Sequence, residues 1–145
     1  MNRKADLPSL KDPRPLHHNN QAALALTVVS SGSAQAAVPT VFRGCSTTGA
    51  SGGYDANNYY GPDATISLNI NLSDTSADGH HVRVRFLSRN VHGTVKYWTW
   101  RSNLDGAGTT KNWSTTASDS YGLFDIGVQV ARFEGNTLLN SCTDW

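Results

Sequence analysis

Between Ala64 and Leu72 every second residue is apolar: Ile66, Leu68, Ile70 and Leu72 alternate with Thr65, Ser67, Asn69 and Asn71. A period of two belongs to an extended strand, whose successive side chains leave opposite faces. A strand that is half apolar and half polar must bury one face and wet the other, which calls for a second layer to cover it. The same alternation returns after the polar run Ser73 to Gly79, where Val82, Val84 and Phe86 interleave with Arg83 and Arg85. The two segments with their intervening turn predict a hairpin.

Further along, Val95 to Arg101 is rich in aromatics, Thr109 to Thr116 is a polar strand around Trp113, and Phe124, Ile126, Val128 and Val130 alternate again. Glu134-Gly-Asn136 turns the chain into Thr137 to Cys142, and a short first strand covers Val41 to Cys45. No segment shows a 3.6-residue period. The expectation is therefore an all-β, antiparallel sandwich of about seven strands. The glycine-rich stretch from Gly49 to Tyr60 has no clear period and is expected to be a loop.

The first 36 residues differ from the rest. Arg3, Lys4, Lys11 and Arg14 precede the apolar stretch Ala22 to Val29, and small residues follow around Ala34-Gln35-Ala36. A basic segment, an apolar segment and an Ala-x-Ala site in that order read as an export signal. Asp6, Asp12 and three early prolines depart from that pattern, and the other reading of residues 1–36 is a disordered N-terminal arm. The apolar stretch is too short to span a bilayer. Residues 37–145 would then be the domain, secreted and extracellular. The whole chain has 12 Lys or Arg and 11 Asp or Glu, for a formal net charge of +1. Residues 37–145 hold eight and nine, for a net −1. Neither balance gives a reason to expect nucleic acid.

Cys45 and Cys142, near the two ends of that region, are the only cysteines. In an exported chain they read as one disulfide. Closing so long a loop contributes about 4 to 5 kcal/mol in the chain-entropy account. Without CxxC or His-x-x-x-His partners they make a poor zinc site, so neither a metal nor another cofactor is expected.

The run Asp74-Thr-Ser-Ala-Asp-Gly-His-His81, the segment Asp105-Gly-Ala-Gly108 and the end Leu139-Asn-Ser-Cys-Thr-Asp-Trp145 resemble small secreted proteins of actinobacteria that carry no assigned activity. The resemblance implies secretion and no particular chemistry.

Several motifs fit a chemistry and also a plainer role. Gly49-Ala-Ser-Gly-Gly53 matches GxSxG, but Ser51 lacks the following helix that a nucleophile elbow needs. Asp74, Ser76, Asp78 and Gly79 open like a calcium loop, yet its twelfth position, which should be a bidentate Glu, is Arg85. Adjacent His80 and His81 point to opposite faces of a strand and do not chelate one ion. His92 stands alone in a turn, and no pair of carboxylates is placed for glycoside hydrolysis.

The aromatics are the least ordinary feature. In an unbroken strand Trp98 and Trp100 share one face with Lys96, while Val95 and Tyr97 take the other. Either the tryptophans are core, or they form an exposed ladder on which sugar rings stack. Trp113, Tyr54, Tyr59 and Tyr60 would extend that surface. The leading expectation is a non-catalytic binding module that meets a glycan or protein partner through Trp98, Trp100 and Trp113. A small secreted hydrolase or enzyme inhibitor acting through the loop from Gly49 to Tyr60 is the alternative, and a structural cell-surface protein a third.

Overall fold

The computed structural model describes residues 37–145; the export-signal reading of residues 1–36, with Ala34-Gln35-Ala36, lies outside them. Nine strands follow: β1 (Thr40–Thr47), β2 (Ala50–Asn57), β3 (Ile66–Asp74), β4 (His81–Arg89), β5 (Val95–Tyr97), β6 (Arg101–Asn103), β7 (Thr110–Ala117), β8 (Asp125–Glu134) and β9 (Thr137–Asp144). They build two antiparallel sheets packed face to face. One has the order β1-β2-β3-β7; in the other β4 lies between β8 and the short pair β5 and β6, with β9 beyond β8. There is no helix among the described residues, so none long and apolar enough to cross a membrane.

The sandwich is the one that the two-residue period demands. Ile66, Leu68, Ile70 and Leu72 of β3 and Val82, Val84 and Phe86 of β4 are buried against one another between the sheets, with Ile126, Val128 and Val130 of β8. Tyr54 of β2 meets Phe86 edge to face at 5.4 Å, which ties the two sheets through their largest buried rings. The outward residues of β3 are Ser67, Asn69, Asn71 and Ser73, short and polar.

Two expectations are corrected here. The segments that become β3 and β4 do not form a hairpin: β3 pairs with β2 and β7, and β4 with β5, β6 and β8. The polar run after Asp74 carries the chain from one sheet to the other. Alternation fixes which face is buried but not which strand lies alongside, and both segments aim their apolar faces into the same core.

The stretch from Gly49 to Tyr60 is not a loop. Most of it is β2, an interior strand hydrogen-bonded on both sides, and this accounts for part of the excess over seven strands. Ala50, Tyr54 and Ala56 are fully buried on its inner face. Gly52 shares that face, where an added Cβ would stand 2.7 Å from the Asn71 carbonyl oxygen. Glycine here serves close strand approach, not flexibility.

The two long margins of the sandwich differ. At one, β1 and β9 are outermost and the Cys45–Cys142 disulfide joins them, with Cα atoms 6.1 Å apart. The Gly44 amide donates to Asp144 Oδ2 at 3.1 Å and Arg43 Nε to the Ile126 carbonyl at 3.2 Å, so the same margin is also laced by polar contacts. At the other, β7 faces β5 and β6 with no covalent link. Fully buried Asn103 stitches part of it by donating to the Thr109 carbonyl at 3.0 Å. The rest opens into a small cleft.

Candidate functional site: a cation–aromatic face on the second sheet

Lys96, Trp98 and Trp100 do not lie on one face, because the strand that would carry them is interrupted. Leu87 pairs with Tyr97, and the Trp98 amide still reaches the Phe86 carbonyl at 3.1 Å. Val84 then pairs with Arg101, where unbroken pairing would bring Trp100. Two residues, Thr99 and Trp100, therefore stand opposite Arg85 alone, which is a β-bulge. The bulge reverses the phase of everything after it, and it splits one expected strand into β5 and β6.

Trp98, ahead of the bulge and opposite buried Phe86, keeps the regular phase and turns inward. It packs edge to face on buried Phe86 at 5.4 Å, and its indole N–H donates to buried Ser88 Oγ at 3.0 Å. Lys96 Nζ lies 4.3 Å from the Trp98 ring centre and pairs with Asp119 at 2.7 Å. The Lys96 hydrogen bond, followed by that of the Tyr121 amide, holds the Asp119 carboxyl below the ordinary carboxylate range. Trp98 lines the cleft at the open margin, together with Leu68, Ile70, Phe86, Arg101 and Thr115. The cleft encloses about 170 Å³, less than pockets that engulf small-molecule ligands. Trp113, on the inner face of β7, is half-buried against the core with the Arg101 guanidinium 5.9 Å above its ring.

Trp100 turns outward. Its ring meets Phe133 edge to face at 5.4 Å, and the Arg85 guanidinium sits 4.3 Å from its centre. Arg85 is also 4.2 Å from the centre of the Tyr97 ring, which is 59% exposed. The three expected site tryptophans are thus divided: Trp98 and Trp113 belong to the inner side, and Trp100 alone reaches the outer face of the β4 sheet.

That outer face carries a pattern that the sequence reading passed over. Arg83, Arg85 and Arg89 share the outer face of β4, with Leu87 between the last two, and each arginine lies against an aromatic ring. Arg83 is 4.2 Å from Phe133, Arg85 engages Tyr97 and Trp100, and Arg89 is 4.6 Å from Trp145. Beneath them Leu87, Ala131 and Phe133 are buried, so the cations and rings form a second, thin apolar layer outside the sandwich core. Trp145 reaches the sheet because Gly127 has no side chain; a Cβ there would stand 2.8 Å from the indole and 2.7 Å from the Asp144 carbonyl oxygen.

The three arginines are not equally occupied. Arg89 is paired with Asp125 at 3.2 Å. Arg83 donates to the Gly135 carbonyl, to Asn136 and, through Nε, to His81 Nε2 at 3.0 Å. Burial and then the Arg83 charge push the His81 pKa down, which keeps its imidazole neutral and able to accept that bond. Arg85 donates only through Nε, to Gln129 Oε1 at 2.8 Å. Among the described residues its terminal nitrogens have no hydrogen-bond partner, and neither Arg83 nor Arg85 has a carboxylate within ion-pair distance. Sequence alone contained one signal for this face, three arginines of like parity on one strand, interrupted by Leu87. The bulge that brings Trp100 to it left no mark.

The other candidate motifs take structural places. Ser51 lies within β2, and its hydroxyl shares a hydrogen bond with Ser46 Oγ at 2.7 Å. Asp78 binds Arg132 at 2.6 Å and accepts from the His80 amide, while Asp74 is buried and accepts from the Ser76 amide. Tyr54 is core, Tyr59 donates to the Leu123 carbonyl at 2.7 Å, and Tyr60 is exposed. No family model, curated protein or solved structure matches the chain.

Proposed function

We propose that the chain is an exported, non-catalytic binding module that holds a glycan on the outer face of its β4 sheet. The observation that carries this reading is Trp100, turned out by the bulge to lie beside exposed Tyr97. Aromatic rings fixed on a rigid sheet offer flat apolar area at little cost in conformational entropy, which is what the faces of sugar rings pack against. Arg85 locks both rings through cation–π contact and leaves its own terminal donors free for hydroxyl or charged groups. Export is supported by the order of charges and small residues before Ala37 and by the disulfide, a bond that persists in oxidising compartments.

A glycan array probed with the purified chain tests the proposal. Binding is expected, and Trp100→Ala should weaken it about ten-fold, equivalent to ~1.4 kcal/mol. Trp113→Ala, on the inner side, should leave it unchanged. Absence of binding to every glycan, or binding indifferent to Trp100→Ala, overturns it.

A further inference from the structure

We propose that the glycan taken by this face is acidic, a chain bearing carboxylate or sulfate groups, with Arg85 as the principal anion contact. The inference rests on the glycan reading above and adds to it the chemical class of the ligand. Residues 37–145 carry a slight excess of acid, so a basic surface here is a local arrangement and not a consequence of overall charge. The outer face nevertheless concentrates Arg83, Arg85 and Arg89 against Asp125, which is already engaged by Arg89.

Arg85 is the least satisfied of the three. Tyr97 and Trp100 shield its guanidinium from water on their side, and burial accordingly depresses its pKa. A guanidinium held by one neutral hydrogen bond and two rings retains donors in a planar fork that fits a carboxylate or sulfate. The rings fix its orientation before a ligand arrives, so little side-chain freedom remains to be lost on binding. An anion would offset the cost of that partial desolvation, since a nearby opposite charge favours the charged guanidinium.

The row has a direction as well as a charge. At 3.2 to 3.4 Å per residue, Arg83 and Arg85 are about 7 Å apart along the strand, and Arg85 and Arg89 about 13 Å. Such a row suits a linear polyanion laid along β4, with its ring faces against Trp100 and Tyr97. A neutral polysaccharide would leave Arg83 and Arg85 without the countercharge that the protein itself does not supply.

The test titrates the whole chain with polygalacturonate, dextran sulfate, neutral dextran and oligothymidylate, by calorimetry at low and high salt. One or both acidic polysaccharides should bind at least ten-fold more tightly than dextran. The preference should shrink with salt, since exposed charges are screened over about 8 to 10 Å at ordinary ionic strength. The two acidic probes separate carboxylate from sulfate as the source of charge. Arg85→Gln should weaken acidic binding at least ten-fold, Arg85→Lys should restore part of it, and Trp100→Ala should weaken acidic and neutral polymers alike. Near-ultraviolet circular dichroism checks that each variant keeps its aromatic packing; if Arg85→Gln does not, the salt dependence of the unaltered chain decides. Dextran bound as tightly as the acidic polymers, with Arg85→Gln without effect, overturns the acidic preference and leaves the glycan reading standing. No binding to any polysaccharide ends both. Tighter binding of oligothymidylate replaces the glycan with a nucleic acid.

Discussion

Removing the disulfide with Cys45→Ala and Cys142→Ala isolates what the covalent link adds to a margin that hydrogen bonds also hold. The two residues are separated by 97 positions, so the link spans nearly the whole domain. In the chain-entropy account a loop of that length contributes about 4.7 kcal/mol at 25 °C by restricting the unfolded chain. Domains of this size have net stabilities of about 5 to 15 kcal/mol, so the variant should be left marginal. Polar contacts at the same margin survive, including Gly44 to Asp144, Arg43 to Ile126 and Thr47 Oγ1 to Asn140. The native sandwich is therefore expected to persist at low temperature. Urea unfolding followed by tryptophan fluorescence measures the change. With a slope of about 2 kcal/mol per molar, the midpoint should fall by roughly 2 M. Because the link acts on the unfolded state, the slope itself should rise as that state expands and exposes more surface. A loss below about 1 kcal/mol with an unchanged slope would refute the reasoning and assign the hold on β1 and β9 to the polar contacts alone.

Two other perturbations bear on single contacts. The His80 amide and the Arg132 guanidinium hold the Asp78 carboxyl down to about 2, against an ordinary value near 3.8. A depressed folded pKa adds stability that is present above about pH 4 and is lost as pH falls towards 2. Asp78→Asn should therefore flatten the dependence of thermal stability on pH in that window, and a variant with an unaltered acid limb would contradict the assignment. Gly127→Ala places a methyl group against the Asp144 carbonyl and the Trp145 ring. It should cost about 1 to 3 kcal/mol as an overpacked contact and expose Trp145 to acrylamide quenching. Unchanged quenching would show that the indole does not rest on the sheet there.

How much of this could be read beforehand depends on what each residue reports. Ile66, Leu68, Ile70 and Leu72 announced a half-buried strand because four branched side chains at every second position have no other economical arrangement. They were silent about neighbours, and the expected hairpin with the strand at Val82 proved to be two strands in opposite sheets. Ala50, Gly52, Tyr54 and Ala56 hold the same period, disguised because alanine and glycine present so little apolar surface. Their smallness is the structural point, since β2 is hemmed between two strands and Gly52 admits the Asn71 carbonyl. The disulfide was legible because two cysteines leave one pairing.

Trp100 is the instructive case for function. Strict alternation places it with Trp98, and on that basis the pair is either all core or all surface. One extra residue opposite Arg85 removes the dilemma by letting each indole go to its own side. The inner tryptophan closes the end of the aromatic series Tyr54, Phe86, Trp98, which spans the core. The outer one joins Arg85, Tyr97 and Phe133 on a face that already has its arginines in register. A bulge costs regular ladder hydrogen bonds and gains aim, which is why such irregularities concentrate where a side chain must point somewhere that regular pairing forbids. Here it turns the only tryptophan between β5 and β6 that is free of the core towards the only arginine of β4 whose terminal nitrogens have no partner among the described residues.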